Sequence, residues 1–194
     1  MKLKPFEISV SGLFVALMAI GANIAPYLTI GGVPITLQLL FAILAGTLLG
    51  SRLGAISMTA YMVIGLIGVP VFAQFKGGFA TLLGPTFGFV VSFIFVAYVA
   101  GKLVEAKTKP KLTAFFMASF IGLILNYLIG THWLYAALRF WLETPEGFSY
   151  LIAWSWMILY LPLDILVVTV AALISPRLYQ VIKGSRYLQN QRVA

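Results

Sequence analysis

The sequence predicts an all-α integral membrane protein with six transmembrane helices and both termini in the cytoplasm. Three observations carry this. The 194-residue chain is 61% hydrophobic and 9% charged, with a mean hydropathy of +1.02, whereas a water-soluble domain carries about 25% charged residues. Its apolar stretches are continuous, which suits helices and not the alternating strands of a barrel. Its basic residues are segregated: Lys2, Lys4, Arg52, Lys102, Lys107, Lys109, Lys111, Arg177, Lys183, Arg186 and Arg192 fall on one side of the predicted membrane, and only Lys76 and Arg139 on the other. Positive residues collect on the cytoplasmic side, so an even number of spans places both ends inside.

The apolar segments fall at roughly 8–29, 35–50, 53–72, 82–104, 112–138 and 150–175, each near the ~20 residues needed to span a bilayer. The first follows the basic stretch Met1-Lys2-Leu3-Lys4 and lacks a clear small-residue cleavage site, so it reads as a retained helix rather than a signal peptide. The second follows Gly31-Gly32-Val33-Pro34 and carries Gly46 and Gly50, continuing to Gly54. The third ends at Gly68-Val69-Pro70. The fourth follows the connection 73–81, long enough to close over a pocket, and carries Gly84 and Gly88. The fifth follows the basic connection 105–111, and the sixth contains Asp164. Small residues at four-residue spacing let helices approach closely. Residues 1–194 read as a single transmembrane domain.

Composition removes several functions. Without cysteine there is no disulfide or thiolate chemistry. One histidine and five acids make a dedicated metal site unexpected. The net charge of +8 is explained by the residues flanking spans, and no nucleic acid is needed as a partner. There is no P-loop, and the Gly-rich stretch from Gly77 to Gly88 lacks its lysine. No nucleophile–base arrangement is evident.

Asp164 is the only acid inside any apolar segment. A carboxylate there costs at least ~3 kcal/mol unless compensated, so an intramembrane acid reads as functional. Trp156, Tyr160 and Asp164 recur at four-residue intervals, which on a continuous helix puts them on one face. Asn126, Gly130 and Trp133 form a similar stripe on the fifth segment. Facing each other, these stripes offer a carboxylate, a carboxamide and apolar walls, the usual make-up of a small-molecule pocket. Asn126 equally suits an interhelical hydrogen bond, and the aromatic residues equally suit an interfacial belt. Lys76, set among Gln74, Phe75, Gly77 and Gly78, is placed to meet an anionic ligand, whereas Arg139 and His132 read as surface and packing residues. An enzyme using Asp164 as general base would need an acid or electrophile against it, and none is evident. A purely structural scaffold leaves Asp164 unexplained.

Several ordered blocks resemble one family. Val33-Pro34-Ile35-Thr36-Leu37-Gln38, the stretch Leu44–Gly54, the stretch Tyr61–Ala73, and Gly77-Gly78 followed by Leu83-Gly84-Pro85-Thr86-Phe87-Gly88-Phe89 are similar to successive blocks of the BioY family. The match covers residue 12 to about 100 and continues more weakly to Asp164. BioY proteins are the biotin-binding S components of energy-coupling-factor (ECF) vitamin transporters. The resemblance implies a six-helix subunit of a bacterial plasma membrane that binds biotin from the outer side. It implies partners that supply energy, a transmembrane T component and two ATPases that use the ATP, with no cofactor on this chain. It implies that the acid of the sixth segment, Asp164, belongs to the binding site; together with the residues read above, the expected site is Asp164, Asn126, Lys76, Tyr160, Trp133, Gly78 and Gln38. Gly12, Ala16 and Ala19 match the family's small-residue surface for the T component. A lysine commonly follows the acid by three residues in that family; here the position is Val167. An S component for another vitamin, or a facilitator needing no ATPase, would share the architecture.

Overall fold

A computed structural model describes residues 4–24, 29–30 and 33–192, with side chains described through Lys183 except at Thr29 and Ile30. Pro26, Gly31, Gly32 and the basic Lys2 lie outside the described residues. Seven α-helices form among the described residues: α1 (Pro5–Asn23), α2 (Gln38–Leu49), α3 (Ser51–Leu66), α4 (Phe87–Glu105), α5 (Leu112–Phe140), α6 (Tyr150–Ile158) and α7 (Leu161–Arg192). Two short antiparallel strands, β1 (Thr29–Ile30) and β2 (Val33–Pro34), pair between α1 and α2.

Among the described residues, four helices are long and apolar enough to cross a membrane: α1, α4, α5 and the Leu161–Lys183 part of α7. Two shorter apolar helices, α2 and α3, lie between α1 and α4, and the helix bounds differ from those of the six expected segments. The second is only the 12-residue α2, about 18 Å long. It meets the 16-residue α3 at Gly50, whose φ of 91° lies in the left-handed region a side chain would disfavour. The first helix begins at Pro5, before residue 8. The fourth begins at Phe87, not at 82, because Pro85 disfavours helix at Gly84.

The sixth segment is not one helix. It breaks after Ile158 and resumes at Leu161. Pro162 is the cause: it has no N–H for the Ile158 carbonyl, and its ring crowds that carbonyl. Leu159 and Tyr160 instead bond back three residues, to Trp156 and Met157. The break places Asp164 in the first turn of α7, where the helix dipole favours a negative charge.

Helix α2 has no charged residue and is buried along most of its length, packed by α1, α3, α4, α5 and α7. Close approach is permitted by small residues: a Cβ on Gly46 would collide with the Ala97 backbone of α4, and one on Gly101 with the Ser51 backbone. Gly84 precedes α4, so the expected Gly84–Gly88 stripe does not form on that helix; Gly88 alone packs, against Trp133. Large apolar side chains such as Leu13, Ile20, Phe95, Met117, Ile124, Leu166 and Leu173 point outward. In water such a surface would drive aggregation, but lipid tails solvate it.

Candidate functional site

The segment 33–39, the stretch 72–87, α4, α5 and the α6–α7 break enclose a cavity of about 190 Å³. Its walls are largely apolar, including Val33, Leu39, Phe72, Phe87, Val90, Phe93 and Met157. Five expected residues line it: Asp164, Asn126, Lys76, Tyr160 and Gln38. Among the described residues, Asp164 is its only acidic lining residue and Lys76 its only basic one.

Each polar group is held by the fold. The Tyr127 hydroxyl donates to Asp164 Oδ2 at 2.7 Å, while Oδ1 accepts no side-chain hydrogen bond among the described residues. The hydroxyl of Tyr160, itself buried, donates to the Val33 carbonyl, pinning the α6–α7 break against β2. Gln38 donates through Nε2 to the Tyr61 hydroxyl at 2.8 Å, and Tyr61 donates onward to the Val71 carbonyl at 2.9 Å. The Ser92 hydroxyl lies 2.7 Å from both the Phe89 carbonyl and the Asn126 amide. A hydroxyl carries one proton. Shared between the Phe89 carbonyl and Asn126 Oδ1, that proton holds the amide by its oxygen and leaves the Asn126 NH2 to donate to a ligand.

The stretch 73–76 closes one side. Ala73, Gln74 and Lys76 line the cavity, and Gln74 and Phe75 adopt positive φ, 62° and 54°. The Phe72 and Lys76 backbones bridge. The Phe75 N–H donates to Asn23 Oδ1 at 2.8 Å, and Asn23 Nδ2 donates to the Ala19 carbonyl at 3.0 Å. The C-terminus of α1 thus holds this turn in place.

Trp133 and Gly78 are not among the lining residues. Trp133 stands behind the wall, donating from Nε1 to the Gly84 carbonyl at 3.1 Å and packing on Phe87. Gly78 adopts φ 92° and anchors Thr81, whose hydroxyl donates to the Gly78 carbonyl at 2.7 Å. Trp156, expected on the Asp164 face, packs on Phe148 instead, because the break at Leu159 ends the shared helical register. Val167 is buried and does not line the cavity. His132 is exposed on α5, within hydrogen-bond distance of the Leu128 carbonyl and the Tyr150 hydroxyl. The expectations above missed Tyr127 and Ser92. Adjacency to Asn126 was the available signal for Tyr127, and the sequence contains none for Ser92.

The family model described as the BioY family matches residues 1–184. The chain belongs to the BioY family. BioYB of Bacillus subtilis is 42% identical over 182 residues, covering 92% of this chain and 90% of that protein. The biotin transporter BioY of Rhodobacter capsulatus is 33% identical over 184 residues, covering 90% and 93%. The crystal structure of the S-component for biotin from an ECF-type ABC transporter superposes with a TM-score of 0.78 at 25% identity, covering 92% of this chain and 95% of that one. BioY membership thus accompanies a fold shared over nearly the whole length.

Proposed function

We propose that this chain is the biotin-binding S component of an ECF-type vitamin transporter, a binding subunit and not an enzyme. The observation that carries the proposal is the pairing, inside one apolar cavity of a BioY-family chain, of the Tyr127-anchored Asp164 with Asn126. Biotin presents two ureido N–H donors, a ureido carbonyl, an apolar sulfur ring and a valerate carboxylate. The free Oδ1 of Asp164 accepts a ureido N–H in a charge-assisted bond. Asn126 completes recognition of the ureido group, and Phe72, Phe87, Phe93 and Tyr160 enclose the sulfur ring. Lys76, the basic lining residue, meets the valerate. It supplies the positive charge that Val167 does not.

The single domain inserts in a bacterial plasma membrane as six spanning segments: α1, α2, α3, α4, α5, and α6 with α7. Both termini are cytoplasmic and the cavity opens outward. The segregation of basic residues supports this orientation. A T component and two ATPases supply the energy. Gly12 and Ala16 are exposed on α1, and no described residue beyond its own turn of helix lies within 4 Å of a Cβ built on Gly12. No contact among the described residues requires the small residue there, which supports Gly12, Ala16 and the half-buried Ala19 as the T-component surface.

Calorimetry of biotin binding to the purified chain, with thiamine and riboflavin as controls, tests the ligand. Selective biotin binding that Asp164→Asn and Asn126→Ala weaken at least tenfold (~1.4 kcal/mol) is expected. Binding of another vitamin in preference to biotin overturns it. Reconstituted import that runs equally fast without ATPases overturns the coupling to partners.

A further inference from the structure

A second cavity, of about 570 Å³, lies between the α4–α5 connection and the C-terminal half of α7. The 12 residues of α4 that follow Phe93, which lines the first cavity, separate the two, about 18 Å along the helix. Lys109 and Lys183 contribute two ammonium groups, Thr108 and Gln180 contribute polar donors, and Phe115 and Tyr179 form a wall with ring centroids 5.8 Å apart. No acid lines it. The neighbouring acid on α4, Glu105, is engaged elsewhere, accepting from the Ser51 N–H and hydroxyl at 2.9 and 2.7 Å. Lys183 rests over the Tyr179 ring, 5.5 Å from its centroid. Thr108, Lys109 and Gln180 make no side-chain hydrogen bond or ion pair among the described residues.

We infer that this cavity binds the headgroup of an anionic phospholipid. Two cations without a counter-acid suit a phosphodiester monoanion, and basic pockets between helices at the cytoplasmic membrane surface hold such headgroups. The outward-facing apolar side chains of Leu112, Leu178 and Val181 flank the cavity residues in sequence, giving an acyl chain a path into the lipid-facing surface. That continuity favours a lipid over free phosphate, which is fully hydrated and gains nothing from apolar contact. Ammonium groups bind the phosphate while Thr108 and Gln180 reach the glycerol oxygens.

Native mass spectrometry of the full chain with equimolar phosphatidylglycerol and phosphatidylcholine tests this. About tenfold preferential retention of phosphatidylglycerol is expected, from two lysines near one anionic headgroup. Lys109→Ala with Lys183→Ala abolishes the preference, whereas Lys107→Ala with Lys111→Ala, outside the cavity, preserves it. Equal retention of the two lipids by the parent chain overturns the inference, and that arm does not depend on any variant folding. An equal loss in both double variants overturns it in favour of general surface charge. Displacement of the lipid by millimolar inorganic phosphate overturns it in favour of a soluble anion.

Discussion

The Tyr127 hydroxyl donates to Asp164 Oδ2 at 2.7 Å, joining the middle of α5 to the first turn of α7. One carboxylate oxygen is thereby committed to the protein and the other left for a ligand. Tyr127→Phe removes the donor and keeps the ring. An unsatisfied buried acceptor costs about 1–3 kcal/mol, and its carboxylate becomes free to rotate. Calorimetry is expected to show biotin binding weakened by about tenfold, alongside a lower melting temperature from the unsatisfied acceptor. Unchanged affinity means Asp164 needs no positioning by Tyr127.

Ser92 orients Asn126 without lining the cavity. Ser92→Ala leaves the amide intact but unanchored. The affinity loss is expected to be smaller than for Asn126→Ala, about threefold, the lower range for a neutral hydrogen bond. A loss as large as that of Asn126→Ala, at unchanged melting temperature, contradicts a purely orienting role.

Asn23 ties α1 to the turn carrying Gln74 and Lys76. Two consecutive non-glycine residues at positive φ are costly unless held by their surroundings. Asn23→Ala removes one such restraint. Stopped-flow tryptophan fluorescence is expected to show biotin dissociating several times faster, because affinity differences between related complexes appear mainly in off-rates. An unaltered off-rate shows the turn is held by other contacts.

Gly46 and Gly12 make a contrasting pair. A Cβ on Gly46 meets the Ala97 backbone, which cannot move aside without shifting α4. Gly46→Ala is expected to destabilise the subunit by about 1–3 kcal/mol, the usual cost of overpacking, seen as a lower melting temperature. A Cβ added at Gly12 meets no described residue beyond its own turn of helix, and Gly12→Leu extends from that open position. It is expected to leave melting and biotin binding unchanged and to reduce recovery of the complex with the T component on copurification. Normal copurification moves the partner surface away from Gly12.

Glu105 caps the N-terminus of α3 from the end of α4. Glu105→Gln keeps one acceptor and removes the charge, so a loss of about 1 kcal/mol is expected, in the range of helix caps. A thermal denaturation midpoint equal to that of the parent refutes a stabilising role.

The sequence by itself determined the solvent this protein folds for and the residue around which its candidate site is proposed. Charge content and continuous apolar runs demand helices in lipid, because lipid offers backbone groups no partner. An acid alone in such a run must be compensated, which made Asp164 legible, and Asn126 followed as a carboxamide in the neighbouring segment. Trp133 shared the Asn126 face but lies seven residues further, about 10 Å along α5, behind the wall formed at Gly84. Periodicity gives direction around a helix, and only packing decides which part of that face meets a cavity. Pro162 was visible in the sequence, yet that its break lifts Trp156 away from the site depends on Phe148 and Tyr160 finding their partners. The bond from Tyr127, the anchoring of Asn126 by Ser92, and the latch from Asn23 to Phe75 were decided by tertiary structure alone. Each joins groups 34 to 52 residues apart, and a hydrogen bond requires its partners within about 3 Å, a condition set only by how the helices pack.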